Sequence, residues 1–102
     1  MNKTSLQIIL NHFGRMNQIL KLVEEMSELA RAIVKAIMLF GLDAEKILAH
    51  EPVLQELADV IILLKQLGLT AELAEALTAE AEIRTARTID RIGSGYYEAN
   101  HE

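Results

Sequence analysis

The sequence predicts an all-α protein, and three observations support this fold class. The apolar residues are mostly Leu, Ile and Ala, which favour helices, whereas strands are richer in Val, Thr, Tyr and Phe. Pro occurs once and Gly five times, so long uninterrupted helices are expected. Apolar residues also recur at i, i+3, i+4 and i+7 over long stretches, which is typical of amphipathic helices.

Capping signals and glycines divide the chain into helical segments. Thr4 and Gln7 form a capping-box pattern that predicts the start of a first helix over residues 4–13. A longer second helix is expected over 16–40. It is followed by Gly41, a residue type that readily adopts the left-handed conformation at a helix end.

Three further helices are predicted by the same kinds of signal. The first has Asp43 as a cap, the second has Pro52 at its first helical position, and the third is capped by Thr70. They are expected over 43–49, 52–67 and 70–92. We therefore predict a single helical domain over residues 1–93 and a C-terminal tail over 94–102 that lacks periodicity and is partly mobile.

The two longest apolar patterns differ in kind. On the second helix one face is apolar and a polar strip lies directly beside it. The apolar face comprises Leu22, Val23, Met26, Leu29, Ile33 and Ile37, and the polar strip comprises Gln18, Lys21, Glu25 and Glu28. Apolar residues surround the helix over 53–67 almost completely, which is typical of a helix buried on several sides.

Such a helix in a chain of 102 residues indicates a partner subunit. A chain this short buries only about 60–65% of its unfolded surface on its own, yet 51% of its residues are hydrophobic. We therefore expect a four-helix-type bundle that is completed by oligomerisation, either as a homodimer or as a dimer of dimers.

Charge and composition exclude several classes of protein. The net charge of −5 argues against binding a nucleic acid polymer, which needs a broad basic face. Without cysteine there is neither a disulfide framework nor a thiolate zinc site. The longest apolar run, Val60 to Leu64, is too short to cross a membrane, and no signal-peptide core is recognisable. A cytoplasmic protein is expected.

Four acidic side chains form two pairs on the two long helices. Each pair is spaced i, i+3, which puts both carboxylates on one side of its helix. Glu56 and Asp59 lie among apolar residues on the helical wheel, and Glu25 and Glu28 lie at the border of an apolar face. A buried carboxylate must be protonated, paired or bound to a metal. If the two helices face each other, all four carboxylates meet, and oxygen ligands of this kind suit Mg²⁺ or Mn²⁺.

The same acidic residues also fit simpler roles. Acidic residues on the second helix can form an ordinary solvated surface, and Glu56 and Asp59 can form buried salt bridges with Lys21, Lys35 or an arginine. A ferritin-like di-iron centre needs Glu-x-x-His pairs, and no His follows Glu25 or Glu56 at that spacing.

The segments KLVEEMSELARAI (21–33) and LQELADVIILL (54–64) resemble the MazG-type all-α nucleotide pyrophosphohydrolases. The signature of that family is E-E-x-x-E followed by E-x-x-D on the next long helix. Here the spacing between the two halves is at the long end of what the family shows. The resemblance covers most of the chain and extends to RTARTIDRIGSGYY (84–97), although the closing segment is only supportive.

The resemblance implies Mg²⁺-dependent hydrolysis of a nucleoside triphosphate between its α- and β-phosphates, with Mn²⁺ as a possible substitute. By matching positions, the metal ligands are Glu25, Glu28, Glu56 and Asp59. Glu24 and Glu25 are the expected catalytic residues, with Glu24 outside the ligand set or helping to activate water. Substrate contacts are expected from Gln18, Lys21, Arg84, Arg87 and Arg91.

These substrate contacts have plain alternatives. The three arginines fall within a roughly 60° arc of the last helix at about 100° per residue, which suits bidentate contacts to phosphate. They can equally form a solvated face, with Glu80 paired to Arg84. Gln18 and Lys21 can likewise be surface residues. At the level of function, two alternatives are a non-catalytic helical interaction protein and a metal-dependent hydrolase of another phosphate ester.

Overall fold

A computed structural model describes residues 1–100, which contain six α-helices and no strand. The all-α prediction is therefore confirmed. The helices are α1 (Lys3–Phe13), α2 (Arg15–Phe40), α3 (Ala44–Ala49), α4 (Glu51–Leu67), α5 (Ala71–Gly93) and α6 (Tyr96–Asn100). No helix in this part of the chain combines the length and apolar character that a membrane span requires.

The chain divides into two compact units, residues 1–69 and the residues from Thr70 onward. In the first unit α1, α2 and α4 pack together, and the pairing of α2 with α4 is the most extensive. The short helix α3 contacts both α2 and α4. The second unit contains α5 and α6, which contact each other. The single domain over 1–93 stays a prediction.

The helix boundaries lie close to the predicted ones, but several signals act differently. Helix α4 begins at Glu51, so Pro52 is its second residue, and Thr70 caps α5 without a side-chain hydrogen bond. The first helix is capped by Asn2, whose Oδ1 accepts a hydrogen bond from the backbone N–H of Thr4 at 2.7 Å. Thr4 thus lies inside α1 and is not its cap. The tail was expected to lack periodicity, yet residues 96–100 form α6. Within the second unit the Arg91 guanidinium lies over the Tyr96 ring, 4.8 Å from its centroid.

Asp43 caps α3 as the sequence predicts, because its Oδ1 accepts a hydrogen bond from the Lys46 backbone N–H at 3.1 Å. We expect Asp43→Ala to lower the free energy of unfolding by about 1 kcal/mol, since an N-terminal N–H of the helix loses its acceptor. Urea unfolding followed by circular dichroism measures this change. Asp43→Ser, which keeps a capping oxygen, is the control; an equal loss in both variants would contradict the capping role.

The buried side of α2 combines part of the polar strip with part of the predicted apolar face, whose residues Leu22, Leu29, Ile33 and Ile37 are half-buried. Gln18, Glu25 and Ala36 are the buried residues of α2, whereas Val23 and Met26 are 61% and 54% exposed. The fully buried Ala36 shows that a small side chain occupies the contact surface. Gln18 has a hydrogen-bond partner on α4, the side chain of Gln66, whereas Glu25 pairs with Lys21 on α2 itself.

Helix α4 is not enclosed on all sides in the single chain. Val53, Leu63 and Gln66 are buried, whereas Leu54, Ile61 and Leu64 are 50%, 44% and 53% exposed. The remaining core residue of the unit is Leu6 on α1. The chain by itself therefore leaves apolar surface exposed on both long helices.

Candidate metal centre

The packing of α2 against α4 brings three of the four predicted ligands to one point. One carboxylate oxygen from each of Glu25, Glu56 and Asp59 lies within 4.8 Å of the other two. The i, i+3 spacing places Glu56 and Asp59 on the same side of α4, and Glu25 reaches them from α2. Oxygens that are this close together can coordinate one divalent cation.

The fourth predicted ligand belongs to an overlapping cluster on α2. Glu24, Glu25 and Glu28 also bring one carboxylate oxygen each within 4.8 Å of one another. Glu25 belongs to both clusters and is buried, whereas Glu28 is half-buried and Glu24 is exposed. Glu24 therefore lies at the outer edge of the acidic site.

Two buried oxygens in the site lack a hydrogen-bond donor. Glu25 Oε2 and Glu56 Oε2 are both inaccessible to solvent, and neither accepts a hydrogen bond from any of the described residues. A buried oxygen without a donor is costly. A cation or a proton at this position would satisfy both oxygens.

A single lysine partly neutralises the cluster. Lys21 Nζ lies 3.1 Å from Glu25 Oε1 and 3.7 Å from Glu24 Oε1. The hydrogen bond from Lys21 lowers the pKa of Glu25 against the opposing effect of its burial, and the same bond raises the pKa of Lys21. Glu25 is therefore ionised at neutral pH.

Glu56 behaves in the opposite way. The neighbouring Glu25 carboxylate, with which Glu56 can share a proton, is the largest cause that raises the pKa of Glu56 from 4.5 to about 7, followed by burial and by the negative charges of Glu28, Glu25 and Asp59. Among residues 1–98, no lysine or arginine forms an ion pair with Glu56 or Asp59. The alternative of a buried salt bridge from Glu56 or Asp59 to Lys21, Lys35 or an arginine is therefore not found among these residues. A carboxyl that holds a proton near pH 7 beside an ionised neighbour is a feature of functional sites.

A cavity of about 410 Å³ opens beside Glu28 and Glu56. We call it the cationic cavity, because Arg31 and Lys35 contribute to its lining, as does His50. None of these three residues was predicted to belong to the site. Arg31 and Lys35 follow Glu28 by three and seven residues on α2, and this spacing could have indicated from the sequence that they lie on the same side of the helix as Glu28. His50 could not be found in this way, because it reaches the cavity only through the tertiary fold.

A second cavity, of about 510 Å³, opens beside Glu25 and Asp59. We call it the amide cavity, because Gln18 and Gln66 contribute to its lining. Gln18 Nε2 donates a hydrogen bond to Gln66 Oε1 at 2.6 Å, and both side chains are buried. Gln66 was missed by sequence reasoning, although a Gln in an otherwise apolar helix was a visible signal. Lys21, predicted to contact substrate, also lines this cavity.

The three predicted arginines lie on α5, in the second unit. Arg84 Nε is 3.8 Å from Glu80 Oε2, so the ion pair of the surface alternative is present. The structure of the first unit thus brings together the acidic residues with Gln18 and Lys21, but the arginines are described only within their own unit.

Comparison of the chain with models of known protein families, with curated proteins and with solved structures finds no match. The fold and the site alone define the class of this protein, which is an all-α protein with acidic clusters suited to a divalent cation.

Proposed function

We propose that this protein hydrolyses a nucleoside or deoxynucleoside triphosphate between its α- and β-phosphates in a reaction that requires a divalent cation. The observation that carries the proposal is the convergence of carboxylates from two helices, with two buried oxygens that have no donor. The resemblance of the two acidic motifs to MazG-type pyrophosphohydrolases supplies the reaction and the substrate class.

In this proposal the ion is Mg²⁺, or Mn²⁺ in its place, held by Glu25, Glu28, Glu56 and Asp59. The donor set fits, since all four ligands supply hard carboxylate oxygens. A bound cation neutralises phosphate charge and lowers the pKa of water. Glu24 is the proposed partner of Glu25 in orienting and deprotonating that water, because it is exposed at the edge of the site and carries a carboxylate.

Substrate contacts are proposed for residues of the first unit and, on the strength of the family resemblance, for three arginines. Gln18 and Lys21 lie in the amide cavity beside Glu25. Lys21 already pairs with Glu25, so its main proposed role is to keep that carboxylate ionised. Arg84, Arg87 and Arg91 are proposed to make further contacts with the phosphates, which guanidinium groups bind in a bidentate manner.

A panel of nucleoside and deoxynucleoside triphosphates, incubated with Mg²⁺ or Mn²⁺ and analysed for both products, tests the proposed reaction. Pyrophosphate together with a nucleoside monophosphate is the expected result. Orthophosphate would instead indicate a hydrolase acting on another bond, and no turnover under any condition would favour a non-catalytic interaction protein.

We further propose that a second copy of the chain completes a four-helix-type bundle. An apolar stripe on α2, with i, i+3 and i, i+4 spacing, is exposed in the single chain. It consists of Met16, Ile19, Leu20, Val23 and Met26. A continuous stripe of this kind is typical of a helix that packs against another helix.

Charged substitutions in this stripe are expected to dissociate the oligomer. We expect the wild-type protein to have the mass of a dimer or tetramer by light scattering, and the double variant Val23→Lys, Met26→Lys to have the mass of a monomer, because burying two ammonium groups is unfavourable. Gln7→Lys, an exposed change on α1, is the control. A monomeric wild-type protein would refute the proposed assembly.

A further inference from the structure

The two cavities lie on different sides of the acidic cluster and divide its members between them. Glu25 and Asp59 line the amide cavity, and Glu28 and Glu56 line the cationic cavity. A cation held by these carboxylates would therefore face both cavities. A ligand that occupies both cavities would therefore lie beside the cation.

The cavities differ in whether their cationic side chains are paired with carboxylates. Lys21, in the amide cavity, is neutralised by Glu24 and Glu25. In the cationic cavity, Arg31 and Lys35 have no carboxylate within ion-pair distance in the described part of the chain. They are spaced i, i+4 on α2, so their side chains lie on the same face of the helix. The free cationic charge is therefore on the side of Glu28 and Glu56.

The direction of α4 adds to this difference. His50 and Pro52, at the N-terminal end of the 17-residue helix, line the cationic cavity. The N-terminus of a helix carries partial positive charge, which favours an anion nearby. Lysine, arginine and the helix end thus act in the same direction, and together they suit a phosphate-rich group.

The amide cavity has the opposite chemistry. Its walls include the apolar side chains of Ile9, Phe13 and Ile62. Its polar groups include the buried amides of Gln18 and Gln66. Apolar walls with a few fixed hydrogen-bonding groups are typical of a site for an organic ring, and amides can both donate to and accept from a nucleobase.

We propose that the substrate binds with one polarity, with its nucleoside in the amide cavity and its β- and γ-phosphates in the cationic cavity, where Arg31 and Lys35 bind them. This inference depends on the proposed function, since it assigns the two ends of the triphosphate to opposite sides of the same site. It adds a diphosphate-binding site that is also the binding site of the pyrophosphate product.

The test compares the binding of pyrophosphate and of nucleoside monophosphates, each with Mg²⁺, by isothermal titration calorimetry. The double variant Arg31→Gln, Lys35→Gln removes the cations of one cavity. Its control is Arg15→Gln, Lys65→Gln, which makes the same charge change at exposed positions outside both cavities. The variant Gln18→Leu, Gln66→Leu alters the other cavity, and because both partners of the hydrogen bond are replaced, no buried amide is left unpaired.

We expect Arg31→Gln, Lys35→Gln to weaken pyrophosphate binding by about ten- to a hundredfold, since two charge-assisted contacts are lost. Its affinity for the nucleoside monophosphate should stay within about twofold of wild type. Gln18→Leu, Gln66→Leu should show the reverse pattern. The control pair should bind both ligands as the wild-type protein does.

Three results would overturn the polarity: no binding of pyrophosphate by the wild-type protein, an unchanged pyrophosphate affinity in Arg31→Gln, Lys35→Gln, or an equal loss of both ligands in that variant. Each of these is compatible with turnover of triphosphate by the wild-type protein, which would leave the proposed function standing. Conversely, the expected binding pattern without hydrolysis of any triphosphate would overturn the proposed function and leave the diphosphate site in place.

Discussion

Glu56→Gln is expected to lower kcat for triphosphate hydrolysis by at least about a thousandfold, because catalysis by a bound metal contributes several kcal/mol and each 1.36 kcal/mol corresponds to a factor of ten in rate. Glu56 is a proposed metal ligand that reaches the acidic cluster from α4. An amide has one neutral oxygen where the carboxylate has two charged ones, and it binds Mg²⁺ far more weakly.

The same substitution is expected to leave the metal-free fold intact. Glu56 already holds a proton near pH 7, so the neutral amide has nearly the same shape and charge. Its Nε2 can also donate to the Glu25 carboxylate, as the protonated Glu56 carboxyl can. Circular dichroism and thermal unfolding without metal should therefore show a melting temperature equal to or above that of the wild-type protein.

Glu51→Gln is the matched control, because Glu51 is an exposed carboxylate on the same helix outside both acidic clusters. It should retain nearly full activity. If Glu56→Gln keeps wild-type turnover, Glu56 is not an essential ligand and the proposed metal centre is wrong.

As the pH is increased, the affinity of the metal-free protein for Mg²⁺ is expected to rise by about tenfold per pH unit up to pH 7 and to level off above it. The proton that Glu56 holds must leave before its carboxylate can bind the cation, and its pKa is about 7. One proton is therefore released for each ion bound below that pH. Calorimetric titrations with Mg²⁺ between pH 5.5 and 8, at about half-unit steps and in buffers of different ionisation enthalpy, measure both effects.

The Mg²⁺ affinity of Glu51→Gln should depend on pH as that of the wild-type protein does. Glu56→Gln should bind Mg²⁺ weakly, and its affinity should not rise with pH. A flat wild-type affinity across this range would show that no ligand titrates there, and the proton would then not be at Glu56.

The stability of the metal-free protein should vary with pH in the opposite sense. The pKa of Glu56 is raised on folding from 4.5 to about 7. The contribution of Glu56 to the free energy of unfolding is therefore fully present below pH 4.5 and is lost as the pH rises through 7. The lowered pKa of Glu25 has the reverse sign, and its contribution is lost as the solution becomes more acidic than that lowered value. The two effects together place the best metal-free stability at about pH 4.5, and the stability should fall as the pH rises from there towards 7.

The sequence by itself determined the helices and the identity of the acidic residues. Apolar periodicity and capping residues act within one or two turns of the chain, so the ends of α2 and α3 could be predicted closely. The paired i, i+3 carboxylates were visible for the same reason. At the start of the first helix the capping-box pattern predicted Thr4 as the cap, and this was wrong because Asn2 is the cap.

Only the tertiary structure decided which face of α2 is buried. Hydrophobicity favours burial of Val23 and Met26, but Gln18 and Glu25 are directed inward instead. Gln18 gains a hydrogen bond from the packing of α2 against α4, and the same packing brings Glu25 beside the carboxylates of Glu56 and Asp59. Those partners lie some thirty to fifty residues away in the sequence, and no local pattern encodes such a distant pairing. The division of the acidic cluster between two cavities of different charge has the same origin, because it depends on how two helices approach each other in space.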